Sequence, residues 1–150
     1  MNGIFAETGS GMVTEEKLFR KIPSEIEAAW MVTYLSEKPF SPLHITILKS
    51  KIGVSDEVLS GILNIAPKTF IKYRKDAANV RIDIKEHIVM LLSLVKHGAE
   101  VFGSSQDFNR WLEMPNVFLE NRKPLGFLNT ISGIRLIDSR LTAMEYGDNV

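Results

Sequence analysis

The sequence predicts an all-α protein, a multi-helix bundle of about seven helices. Apolar residues recur at three- and four-residue spacings over most of the chain, and no stretch keeps the strict alternation of a half-buried strand. Helix-start residues and helix stops punctuate it at helix-length intervals, Ser24, Ser55 and Thr130 among the starts and Gly53, Gly103 and Gly147 among the stops. No internal repeat is visible.

Taken in order, residues 1–14 hold Gly3, Gly9, Ser10 and Gly11 with few apolar side chains, and read as a flexible arm. Residues 15–52 read as an N-terminal helical extension. Its main helix is SEIEAAWMVTYLSEKP, where Ser24 and Glu27 have the spacing of a capping box. Ile26, Trp30 and Tyr34 recur every four residues, and Pro39 and Pro42 are expected to stop it. A second helix over His44–Lys51 ends at Gly53.

Residues 83–150 begin with the longest helix, DIKEHIVMLLSLVKHGAEVF, with a cap-like start at Asp83 and Glu86. Its stripe of Ile84, Ile88, Leu91, Leu92 and Val95 is widened by Val89, Met90 and Leu94 beyond the need of one partner. A central helix is expected, shared with a second copy in a homodimer or higher homo-oligomer. A shorter helix with Phe108, Trp111 and Leu112 follows, then a linker in which Pro124 opens the turn PLGFL. Trp111, Pro115 and Pro124 are read as architecture. Thr130 caps a last helix seamed by Ile134, Ile137, Leu141 and Met144.

Composition narrows the function. A chain of 150 residues makes one domain, or a small domain with an extension, and can bury roughly two-thirds of its unfolded surface. The absence of cysteine excludes disulfides, thiol chemistry and cysteine-ligated zinc. With 18 basic and 18 acidic residues the net charge is zero, so any attraction to nucleic acid must come from a local patch. No apolar run approaches the roughly 20 residues of a membrane span, and the first residues lack a signal peptide's pattern. A soluble, cytoplasmic protein without membrane partners is the expectation.

One local patch stands out, in residues 53–82. Ser55 can cap a helix bearing Asp56 and Glu57 in its first turn; Leu59 and Leu63 face inwards; Asn64 suits a left-handed turn; Pro67 opens the next helix. Helix, short turn and helix is the spacing of the DNA-binding helix-turn-helix, whose second helix enters the major groove. Lys68, Thr69 and Lys72 would face the groove, with Arg74 and Lys75 nearer phosphate, while Phe70 and Tyr73 face the fold. A helical hairpin with a solvated basic face fits the same spacing.

Further along stand VFG at Val101–Gly103, WL at Trp111–Leu112, PN at Pro115–Asn116, PLGFL at Pro124–Leu128, T-x-x-G from Thr130 to Gly133, and EYG at Glu145–Gly147. In this order and spacing they resemble the C-terminal toxin-binding domain of the Xre-type antitoxins, partners of RES-domain toxins in bacterial toxin–antitoxin pairs. With the helix-turn-helix upstream, the resemblance covers about residues 53–147. It departs from the family's pattern at Asn64, where a turn glycine is usual, and at Asn109. It implies a non-enzymatic antitoxin that blocks the active site of a toxin acting on NAD and represses its own operon by binding operator DNA. The contacting residues would lie on the last helix and its tail: Arg135, Asp138, Arg140, Glu145, Tyr146 and Asp148. A stand-alone helix-turn-helix transcriptional regulator is the alternative.

No catalytic, cofactor or metal site is expected. His87 and His97 lack the spacing of a ligand pair and, with His44, read as scattered surface or half-buried imidazoles. The glycines near the start lack the lysine of a phosphate loop.

Overall fold

Within residues 14–147, which the computed structural model describes, the regular elements are helical apart from one isolated bridge between Asn116 and Arg122. The described residues open with a helix over 14–20 (α1). There follow α2 (Ala28–Glu37), α3 (Pro42–Ile52), α4 (Asp56–Ile62), α5 (Pro67–Lys75), α6 (Ile82–Phe102), α7 (Ser105–Leu112) and α8 (Ile131–Glu145). Single 3-10 turns at Val117–Leu119 and Pro124–Phe127 lie between α7 and α8. The all-α expectation is met. The predicted flexible arm lies outside the described residues except at its last position, which begins α1.

The 21-residue α6 is the axis, as its sequence predicted. Helices α2, α3, α7 and α8 all pack on it, so Ile88, Val89, Leu91, Leu92, Leu94 and Val95 are fully buried within one chain. Each such side chain contributes on the order of 1.5–3 kcal/mol of burial. The width of the apolar stripe, which suggested a second copy, is accounted for by four helices of the same molecule.

Helix starts show where local signals gave way to packing. The Ser24–Glu27 box does not form: α2 begins at Ala28, with Glu27 at the cap position making no side-chain cap bond. The chain just before it is tied to α6 instead. Ile22 is fully buried, Ser93 Oγ donates to the Pro23 carbonyl (2.6 Å), and Lys96 Nζ donates to the carbonyls of Phe19, Arg20 and Ile22. A lysine on the last carbonyls of α1 is a favourable C-terminal cap. The capping box occurs at Ser41–His44, and Pro42, expected as a stop, is the first residue of α3. Asp83 does not cap α6, whose cap position is Arg81; it sits in the first turn and pairs with Arg81 at 3.1 Å.

Residues 15–52 enter the same core. Met31, Tyr34, Ile45, Leu48 and Ile52 are buried, and Tyr34 Oη lies 2.7 Å from His44 Nε2. Burial raises the Tyr34 hydroxyl to about 12 and lowers the His44 imidazole against the bond to Ser41, so this pair is neutral. On the opposite flank α7 crosses α6 at Gly98, where a Cβ would lie 2.3 Å from the Phe108 ring. The close approach stacks Phe108 on Trp111 and sets Phe102 tilted against both, with ring centroids 5.5–6.0 Å apart. Trp111 and Pro124 are buried, in keeping with an architectural role, whereas Pro115 is exposed.

Candidate interaction surfaces

The α4–α5 hairpin is built as a helix-turn-helix. Ser55 Oγ accepts from Val58 N at 3.2 Å, and Leu59 and Leu63 are fully buried. At the end of α4, Ile65 N donates to Ser60 O and Asn64 N to Gly61 O, a Schellman-type closure that needs a left-handed residue at Asn64. Asn64 has φ +58°, and its Nδ2 donates to Asn129 O at 2.9 Å. The asparagine thus performs the glycine's conformational task and adds a tether to the chain just ahead of α8.

On α5, Phe70 is fully buried and Tyr73 half-buried, leaving the opposite face to solvent. Lys68, Lys72 and Lys75 lie exposed there, and Thr69 is half-buried. Arg74 departs from its expected place near phosphate. Its Nη1 reaches both Asp56 oxygens at 3.0 and 3.2 Å, and its guanidinium lies 5.8 Å from the Phe70 ring centroid. Arg74 therefore clasps the two helices of the hairpin to each other, because Asp56, placed to favour the start of α4, also faces the last turn of α5.

The second surface is α8. Thr130 Oγ1 accepts from Gly133 N at 3.0 Å, as the sequence predicted. Gly133 lies hard against the preceding 3-10 turn, where a Cβ would meet the Phe127 carbonyl oxygen at 1.7 Å. The glycine of T-x-x-G and the turn PLGFL are therefore two sides of one contact. His87 Nε2 donates to Leu128 O at 2.8 Å, fixing the same loop from α6. Ile134, Ile137 and Leu141 are fully buried against the core.

The polar residues expected to contact a partner separate into two sets. Arg135 and Tyr146 are exposed, Tyr146 to 86%. Asp138 and Glu145 turn inwards to His97, at 2.7 Å from Nδ1 and 2.6 Å from Nε2 respectively. The Arg140 guanidinium covers the Phe118 ring at 4.1 Å. Asp148 lies outside the described residues.

The histidines correct the sequence reading: His44, His87 and His97 are all buried. The signal was present for two of them. His87 follows Ile84 by three positions, and His97 follows Leu94 by three, so both fall on the apolar stripe of α6. Among the described residues there is no cluster of three or more His, Asp or Glu side chains able to hold a metal, and no helix is long and apolar enough to cross a membrane.

Residues 97–147 match the family described as the antitoxin Xre/MbcA/ParS C-terminal toxin-binding domain. That bears out the resemblance read from VFG, WL, PN, PLGFL, T-x-x-G and EYG, all of which fall inside the matched stretch. Among solved structures, the chain is similar to one in the crystal structure of the M. tuberculosis MbcT-MbcA toxin-antitoxin complex. The TM-score is 0.57 at 19% identity, over 73% of this chain and 96% of the other, a likeness of fold. No curated protein sequence matches.

Proposed function

We propose that the protein is a non-enzymatic antitoxin that binds and neutralises a RES-domain toxin acting on NAD, and that it represses its own operon through α4–α5. The toxin-binding domain over residues 97–147 is the observation that carries the reading. The solved protein of similar fold comes from a toxin–antitoxin complex, which supports it. The outer face of α8, with Arg135 near its start and Tyr146 just beyond its last residue, is the contact surface, since the apolar seam of the helix is already spent on the core.

Operator binding is supported by Lys68, Lys72 and Lys75 on one exposed face of α5, opposite the buried Phe70. Three cations on the helix that follows the turn suit phosphate neutralisation and hydrogen bonding to guanine. A homodimer, giving two such helices, matches the two-fold symmetry of operators.

Co-expression with the product of the adjacent gene tests the toxin claim. The protein should relieve that product's toxicity and form a stable complex with it. Unrelieved toxicity with no complex would overturn the reading.

A further inference from the structure

His97 is 5% exposed, and each of its ring nitrogens meets a carboxylate of α8, Nδ1 at Asp138 and Nε2 at Glu145. Two carboxylate acceptors call for two N–H donors, which only the imidazolium provides. Burial pulls the imidazole's pKa down, but the hydrogen bonds and charges of Asp138 and Glu145 outweigh it and leave it above the usual 6.5.

The other charged groups on the helices around α6 are engaged elsewhere or exposed. Lys96 bonds the carbonyls of α1, His44 bonds Tyr34, Lys49 pairs with Asp56 and Lys51 lies over Phe19. On α7, Asp107 pairs with Arg110; Glu37, Glu100 and Arg135 are exposed; Arg140 covers Phe118.

Glu145 is the last residue of α8. A carboxylate there sits at the unfavourable end of the helix dipole unless a cation meets it. His97 supplies that cation. Immediately beyond, Tyr146 N donates to Thr142 O and Ala143 O, and Gly147 N to Met144 O, closing a turn that follows directly on Glu145 and from which Tyr146 projects.

We propose that His97 is a positioning residue for the partner-contacting end of α8, an imidazolium latch whose grip on Glu145 fixes the turn that presents Tyr146. That this end meets a partner rests on the function proposed above. Loss of one proton leaves a single N–H for two carboxylates. Glu145, with a side chain 41% exposed against 20% for Asp138, is the one released to solvent. The latch is closed below the ordinary histidine pKa and opens as pH rises through the folded-state value.

The test is amide hydrogen exchange at Tyr146 and Gly147 in the full chain between about pH 6 and 9, corrected for intrinsic rates, beside a nitrogen NMR titration of the His97 ring. Protection should fall on the order of tenfold as the ring deprotonates. Glu145→Gln removes the charge, so the ring should titrate at lower pH; its amide can accept from the imidazolium or donate to the neutral ring, so protection should no longer follow that titration. His97→Gln should be weakly protected at every pH. Where that variant does not fold, the wild-type and Glu145→Gln titrations decide alone. Unchanged protection across the wild-type ring's titration, or a wild-type ring already neutral at about pH 6, overturns the latch. The exchange measurement does not need the toxin: absence of any toxin complex would refute the proposed function and leave the exchange result standing.

Discussion

Gly133 approaches the Phe127 carbonyl oxygen so closely that a Cβ there would lie 1.7 Å from it, and Thr130 Oγ1 accepts the Gly133 amide at 3.0 Å. The obstacle is backbone, which cannot rotate aside as a side chain can. Gly133→Ala should therefore cost at least the 1–3 kcal/mol or so typical of overpacking. A lowered urea midpoint at unchanged m-value is the expected result, whereas a helix-stabilising gain would show that the turn yields.

Asn64 combines a left-handed backbone with a tether to Asn129. Asn64→Gly loses the hydrogen bond, at about 0.5–1.5 kcal/mol, while glycine adopts the left-handed conformation freely. Asn64→Ala loses the same bond and keeps a Cβ in the left-handed region without asparagine's local hydrogen bonding, which places it about 1–2 kcal/mol below glycine. Alanine should thus be the more destabilising of the two in urea unfolding, and the reverse order would remove the conformational explanation.

Burial lowers the His87 pKa below 6.5, against the opposing effects of the Leu128 bond and of Asp83 and Glu86. The folded state therefore holds this ring neutral while the unfolded state takes up a proton, so its contribution to stability is lost as pH falls through about 6.5. His44 acts in the same sense. His87→Gln can still donate to the Leu128 carbonyl without titrating, so its urea midpoint should fall less than wild type between about pH 7 and 5. Parallel curves would contradict the assignment.

Lys68 and Lys72 stand exposed on α5, away from the core contact of Phe70. Their replacement by alanine should leave stability within about 0.5 kcal/mol. Affinity for the DNA upstream of the gene should fall by about 1–3 kcal/mol per base contact, or the salt slope by about one per phosphate contact. Anisotropy titrations over a salt series read both, and an unchanged affinity and slope would exclude α5 as the recognition helix. Arg74, clasped to Asp56, should affect stability by only about 0.2–1 kcal/mol, because that pair is more than a third exposed.

How far the sequence could be read depended on the range of the interactions involved. Ser55, Asn64 and Thr130 act on backbone within a few residues, so spacing alone revealed them. The central place of α6 followed from its apolar stripe. Ser24 failed as a cap because Pro23 and Ile22 are fixed by Ser93 and Lys96, some seventy positions away. Arg74 and His97 were misplaced for the same reason: Asp56, Asp138 and Glu145 lie 18, 41 and 48 positions from them. Periodicity tells which face a residue occupies, and not which charge from another helix will meet it there.

Truncation of α8 cannot test the toxin surface cleanly, because it would remove Ile134, Ile137 and Leu141 from the core. Surface substitutions can. The most direct measurement is the dissociation constant between the full chain and the toxin encoded beside it, for wild type and for Arg135→Glu combined with Tyr146→Ala. Since both side chains are exposed, stability should change by no more than about 0.5 kcal/mol. Affinity should fall by tenfold or more, about 1.4 kcal/mol. Equal affinity for the wild type and the doubly substituted protein would contradict a toxin contact on this face of α8.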